Sequence, residues 1–126
     1  MEAPLCDVKI DLSPSGLPIL EENEVNLVRE SRIALLDIEQ RELAKPRDIL
    51  LTNLRIFFLD GKNSCACHLR DVKSVESCSS WYSRSTRLKV RFRKTKGKAE
   101  VFLKFPSHDN TVFLEHINNA LQKKSW

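Results

Sequence analysis

Residues 86–94, TRLKVRFRK, alternate without a break. Leu88, Val90 and Phe92 fall on one side of an extended chain, and Arg87, Lys89, Arg91 and Arg93 on the other. A helix cannot sort this pattern into two faces, because at 3.6 residues per turn alternate positions spread around its axis. The stretch is therefore read as a strand with one face on a core and one face open, the habit of antiparallel sheet. Its neighbour completes a hairpin. Thr95-Lys96-Gly97 supplies a turn, and AEVFLKF brings Ala99, Val101, Leu103 and Phe105 to a single face.

The same period appears earlier in the chain. EVNLVR places Val25 and Leu27 on one face, and RIALLD is a second apolar run. EQRELAKPRD separates both from DILLTNLRIFFLDGKN. Ile49 to Thr52 and Leu54 to Leu59 are apolar runs of strand length, and Asp60-Gly61 is a hairpin turn signal. SCACHL and VKSVES come next at strand spacing around Arg70-Asp71. About seven short strands joined by tight turns predict a barrel or sandwich. Pro106 stops the last strand, and the period changes. Phe113, Ile117, Ala120 and Leu121 recur at helical spacing, with Ser107 or Asp109 as N-cap and Lys123 and Lys124 at the dipole's negative end. The fold class is mainly β with one C-terminal α-helix, and that helix is expected to cap the open end of the strands.

At 126 residues the chain fits one domain, read as a flexible lead-in over 1–15 and a folded unit over 16–126. No apolar run reaches the roughly 18–20 residues that span a bilayer, and the N-terminal stretch lacks the pattern of a secretory signal. The expectation is a cytoplasmic domain whose four cysteines are thiols. Cys65, Cys67 and His68 crowd together, but a strand puts the two cysteines on one face and the histidine on the other. Structural zinc wants four converging ligands, and no second short-spaced pair exists, so these cysteines are read as core packing rather than a metal or redox site. His68, His108 and His116 lie in separate elements, no glycine-rich phosphate loop is present, and no nucleophile–base pair can be named. Neither an enzyme nor a cofactor is expected.

Charge is where the sequence becomes informative. From Arg84 to Lys104 there are nine Lys/Arg against Glu100 alone, so +8 of a net +4 sits there and the remainder carries −4. A face so polarised attracts polyanions: an acidic membrane, a phosphoinositide head group or nucleic acid. The plainer reading is the solvated side of a sheet, charged against edge-to-edge aggregation. Just before the basic strand, SWYSRS offers Trp81 and Tyr82 beside Arg84. Such rings suit the headgroup level of a bilayer, and an arginine fork suits a phosphate. The alternative is that both aromatics fold back over an open end of the barrel.

The order SGLPILEENEVNLV, DILLTNLRIFFLD, LRDVKSVES and a terminal helix ending LQKKSW resembles the GLUE domain of the ubiquitin- and lipid-binding subunit of the ESCRT-II endosomal sorting complex. Its most specific piece is a Leu-Thr-x-x-Arg-Leu/Ile core, filled here by Leu51, Thr52, Arg55 and Ile56, with Trp126 matching a recurrent end. The likeness spans about residues 12–126, although single motifs are shared with GRAM and other pleckstrin-homology-like domains. It implies a split pleckstrin-homology fold of seven strands in two sheets, closed by a helix near 110–124. It further implies a non-catalytic adaptor, peripheral on endosomal membrane, that binds 3-phosphorylated phosphoinositides through Arg84, Arg87 and Lys89, with Trp81 and Tyr82 at the surface. Ubiquitin is a partner of some members, for which the helix near His116 and Asn119 is the candidate. ESCRT-I and RNA are partners in other lineages, and the remaining ESCRT-II subunits would meet the rest of the chain. No zinc-finger insertion is present, so ESCRT-I contact through such fingers is not expected. The competing functions are RNA binding by the basic face and a general GRAM- or PH-type interaction domain.

Overall fold

The computed structural model of the chain describes residues 8–78, 87–93, 100–106 and 110–126. Among them are ten strands: β1 (Val8–Lys9), β2 (Asn26–Ser31), β3 (Ala34–Leu36), β4 (Glu42–Ala44), β5 (Asp48–Thr52), β6 (Arg55–Leu59), β7 (Cys65–His68), β8 (Val72–Ser77), β9 (Arg87–Phe92) and β10 (Glu100–Lys104). One helix, α1 (Thr111–Lys123), comes last. Two antiparallel sheets result, in the orders β1-β7-β6-β5-β2 and β4-β3-β10-β9-β8.

Alternation fixes which side of each strand is dry. Leu88 and Val90 on β9, with Val101 and Leu103 on β10, face Ile49 and Leu51 of β5 and Ile56 and Phe58 of β6 in one core between the sheets. Each such side chain, fully withdrawn from water, contributes about 2 kcal/mol. The helix packs against β2 and β8, the end strands of the two sheets, and so seals the gap between them. Phe113, Ile117 and Ala120 are its buried residues, with the Phe113 ring edge-on to Phe105 at 5.5 Å. Leu121 is only partly buried against the same core. The helix ends where Lys124 turns left-handed (φ 50°) and its N–H reaches the Ala120 carbonyl, a C-terminal αL closure. At the other end Asn110 is the N-cap, without a side-chain cap bond. The expected caps, Ser107 and Asp109, lie outside the described residues.

Three expectations need correction, and a fourth gains detail. Val25 and Leu27 do not share a face, because the β2–β5 register slips between Asn26 and Val28. That bulge lets Leu27 and Val28 both pack toward the core while Val25 stays exposed. EQRELAKPRD is not merely a spacer, since it contains β4. Asp37 makes that hairpin: its carboxylate accepts the N–H groups of Glu39 and Arg41 at 2.9 Å and the Arg41 Nε at 3.0 Å. The Asp60-Gly61 signal does join β6 to β7, but through a short 3-10 turn over Gly61–Asn63, with Gly61 at φ 58° where a side chain would be strained. Finally, Cys67 and Cys78 carry thiols while Cys65 is disulfide-bonded. Cys65 and Cys67 do sit in the core, as the strand reading required.

The outer face of the first sheet is also dry. Leu50, Phe57, Leu59 and Ala66 form a second cluster, against which Ile10, Leu12 and Leu20 pack. The covering segment is a small hairpin of its own. Leu12 bridges Pro18, the Ser13 N–H reaches the Leu17 carbonyl at 2.7 Å, and Gly16 turns the corner at φ 84°. The chain is layered as strap, sheet, core, sheet.

Candidate functional site

The most specific motif in the sequence turns out to be a lock. Thr52 ends β5, and its hydroxyl accepts the N–H groups of Leu54 (3.1 Å) and Arg55 (2.9 Å), closing the tight turn into β6. The same hydroxyl donates to Glu24 Oε2 at 2.6 Å. Arg55 then holds that carboxylate with both prongs of its fork, Nε to Oε2 at 3.0 Å and one Nη to Oε1 at 2.5 Å. The Glu21 N–H completes the set at 2.9 Å. Asn53 adds a second stitch, accepting the Val25 N–H at 2.8 Å and donating to the Asn23 carbonyl at 3.1 Å. The Arg55 guanidinium lies 4.5 Å over the Phe57 ring, worth about 1 kcal/mol.

Electrostatics follow from this geometry. Burial pushes the Glu24 carboxyl up, but hydrogen bonds from Arg55 and Thr52 outweigh it and hold the group below its ordinary range. Arg55 is shifted up in turn by its bond to Glu24. The Glu24 side chain has no exposure and that of Arg55 only 12%, so no anion can reach this pair without breaking it. Thr52 and Arg55 therefore tie the strap to the sheet, while Leu51 and Ile56 of the same motif fill the core between the sheets, and the chemistry of the motif is structural.

The basic row lies on the outer side of the second sheet. Leu88 and Val90 face the core, so Arg87, Lys89 and Arg91 project the other way. Their charge is not uniform along the strand. Arg91 has Glu100 at 3.1 Å and Glu76 at 3.8 Å, an ion pair bent too far for a hydrogen bond at its Nε. Lys89 lies 5.9 Å from the centre of the Phe102 ring. Arg87 has no ion pair among the described residues, and its Nε is buried without a hydrogen-bond partner. Directly across from it on β10 stands Lys104, another cation. One end of the face is neutralised, and the other is left positive.

The segment carrying Trp81, Tyr82 and Arg84 lies outside the described residues. It joins β8 to β9, and the Cys78 N–H bonds the Arg87 carbonyl at 2.7 Å, so both of its anchoring points are at the positive end. Sequence reasoning found Arg87 and Lys89 but did not single out Lys104 or the acids that silence Arg91. The hairpin itself was the usable signal, since its register sets Arg87 opposite Lys104 and Arg91 opposite Glu100. On the helix, His116 is half-buried and Asn119 exposed, and with Val112 (53% exposed) they recur at i, i+4 and i+7 along one outward stripe. Among the described residues, no three His, Cys, Asp or Glu side chains converge to hold a metal. The two surfaces differ in character: one is cationic, and the other sets an exposed aliphatic side chain beside neutral polar groups.

Two antiparallel sheets sealed by one C-terminal helix, with a basic row on an outer face, define a pleckstrin-homology-like domain. The solved structure described as the Vps36 N-terminal PH domain superposes with a TM-score of 0.77 at 27% identity, over 91% of this chain and 92% of that one. Residues 11–94 match the ESCRT-II family described as vacuolar protein sorting protein 36, Vps36, and the chain belongs to that family. No match is found among curated proteins. The family is non-catalytic.

Proposed function

We propose that this domain docks an ESCRT-II assembly on phosphoinositide-bearing endosomal membrane and presents a second surface to ubiquitinated cargo. The observation that carries the first part is the charge asymmetry of β9: Arg91 is neutralised by Glu100, and Arg87 is left without an ion pair among the described residues. Arg87 and Lys89 would hold the head group, and Arg84 would join them from the adjoining segment. Trp81 and Tyr82 would enter the interfacial layer, where amphipathic rings are favoured. Among the described residues no helix is long and apolar enough to cross a membrane, so attachment of this kind rests on surface contacts. Such contacts are few, and affinity rises steeply only when a second site on the same particle is engaged.

The helix stripe of Val112, His116 and Asn119 supports the ubiquitin arm, because it combines an exposed aliphatic side chain with neutral polar groups. The deciding experiment is co-sedimentation with liposomes matched in net charge, one set carrying phosphatidylinositol 3-phosphate and the other only phosphatidylserine. Preference for the first, lost in Arg84→Ala/Arg87→Ala, supports head-group docking. Equal binding to both sinks it, and RNA binding by the same face would then be tested by gel shift. For the ubiquitin arm, NMR titration should move the amides around His116 and Asn119. Unmoved helix amides would remove that assignment.

A further inference from the structure

Resting on the membrane-docking reading, we propose that Lys104 is the second cation of the head-group site. Together Arg87 and Lys104 receive a phosphate monoester carried by an inositol lipid.

The placement comes from register. On β10, Val101 and Leu103 face the core, so Glu100, Phe102 and Lys104 share the outer side with Arg87, Lys89 and Arg91. Pairing sets Lys104 opposite Arg87, Phe102 opposite Lys89 and Glu100 opposite Arg91. Directly opposed side chains on a shared face stand about 5 Å apart at Cβ, and like charges there oppose folding. Four residues separate Lys104 from Glu100, roughly 13 Å along the strand, beyond a Debye length of about 8 Å at physiological salt. Glu100 is therefore too far away to neutralise the Arg87–Lys104 pair, and Glu76 of β8, which stands opposite Lys89, pairs with Arg91 rather than with Arg87. On the other side Lys104 faces Ala34 of β3, which carries no charge. Lys104 has no ion pair among the described residues and is exposed, while Arg87 keeps a buried Nε without a partner.

A like-charged pair held in fixed register, at a cost to the fold, fits an anion that supplies the missing charge. The chemistry selects the class. A phosphate monoester carries about −1.5 to −2 at neutral pH and three acceptor oxygens, enough to meet an arginine fork and an ammonium at once. The phosphodiester of an ordinary phospholipid carries a single charge and satisfies one of them. The pair thus reads the monoester on the inositol ring rather than the membrane's general charge.

The test compares Lys104→Gln, Lys104→Arg, Arg87→Gln and Arg91→Gln on the two charge-matched vesicle sets, with thermal melting of each variant. Lys104→Gln should weaken association with phosphatidylinositol 3-phosphate vesicles by about tenfold, as Arg87→Gln does, and leave phosphatidylserine binding within about twofold. Lys104→Arg should retain the preference, and Arg91→Gln should not alter it. Because repulsion is relieved, Lys104→Gln should melt roughly 1–3 °C higher. A loss of binding accompanied by a lower melting point would assign Lys104 to the fold and overturn the proposal. So would equal weakening on both vesicle sets. Wild-type preference lost with Arg87→Gln but kept with Lys104→Gln would refute the role of Lys104 alone. No preference in the wild type would overturn the docking reading and this inference together.

Discussion

Removing the carboxylate of Glu24 is the sharpest probe of how this fold is held. Glu24→Ala strips four hydrogen bonds at once, two from Arg55 and one each from Thr52 and the Glu21 N–H. It also leaves a guanidinium that is 12% exposed without its paired carboxylate, with only the weaker field of Glu21 nearby. Breaking a buried pair from one side costs about 3–5 kcal/mol, and the lower end applies where the stranded charge can reach water by loosening a surface segment. The strap is such a segment, so about 3 kcal/mol is expected, a fall of the melting point on the order of 10 °C. Glu24→Gln keeps the shape and one acceptor and should cost about half as much. Urea denaturation of Glu24→Ala, Arg55→Ala and the double mutant gives the cycle. A coupling near 2 kcal/mol is expected, because once one partner is gone removing the other relieves a stranded group. Additive single effects, or a loss below about 0.5 kcal/mol for Glu24→Ala, would refute the reasoning. Hydrogen exchange supplies a local check, since amides of residues 12–20 should lose protection before those of β9 and β10.

Acid should act through the same group. The Glu24, Asp37 and Asp48 carboxyls are all held below their ordinary values in the fold. Such groups stabilise above their unfolded pKa of about 4 and lose that contribution as pH falls through the lower folded values. The urea midpoint should therefore be flat from about pH 7 to 5 and drop below about pH 4, with a shallower drop in Glu24→Gln. Asp37→Ala should lower the melting point by roughly 4–8 °C, because two turn N–H groups lose their acceptor, whereas Asp37→Asn should recover part of it. Ile117→Ala, at a fully buried position, should cost about 2–5 kcal/mol in denaturant, while Asn119→Ala on the same helix should stay within about 0.5 kcal/mol.

The parts of the fold that were legible in the sequence are those whose signal is local. β9 and β10 alternate because one face is wet, and α1 shows its stripe because a single side is buried. β5 and β6 showed only unbroken apolar runs, because the core takes one face and the strap the other. β4 was hidden, since Glu42–Ala44 has too few residues to show a period and exists through its pairing with β3 across the Asp37 turn. The Leu-Thr-x-x-Arg motif was visible as a family signature, but its purpose was not. Its partner Glu24 lies 31 residues away from Arg55, and no spacing rule connects them. The candidate site was legible in half: composition located the positive charge, and only register showed which cations are spoken for.

The lock also has a consequence in time. A contact that closes a 31-residue loop costs more closure entropy than the local β5–β6 pairing, so we expect it to form after that pairing. Interactions absent from the folding transition state slow escape from the native state without hastening arrival. We expect Glu24→Ala to leave the folding limb of a denaturant chevron nearly unchanged and to raise the unfolding limb by about two powers of ten. Equal slowing of folding would place the lock in the nucleus instead. The ion pair is then a clasp, fastened last, that governs how long the domain stays shut.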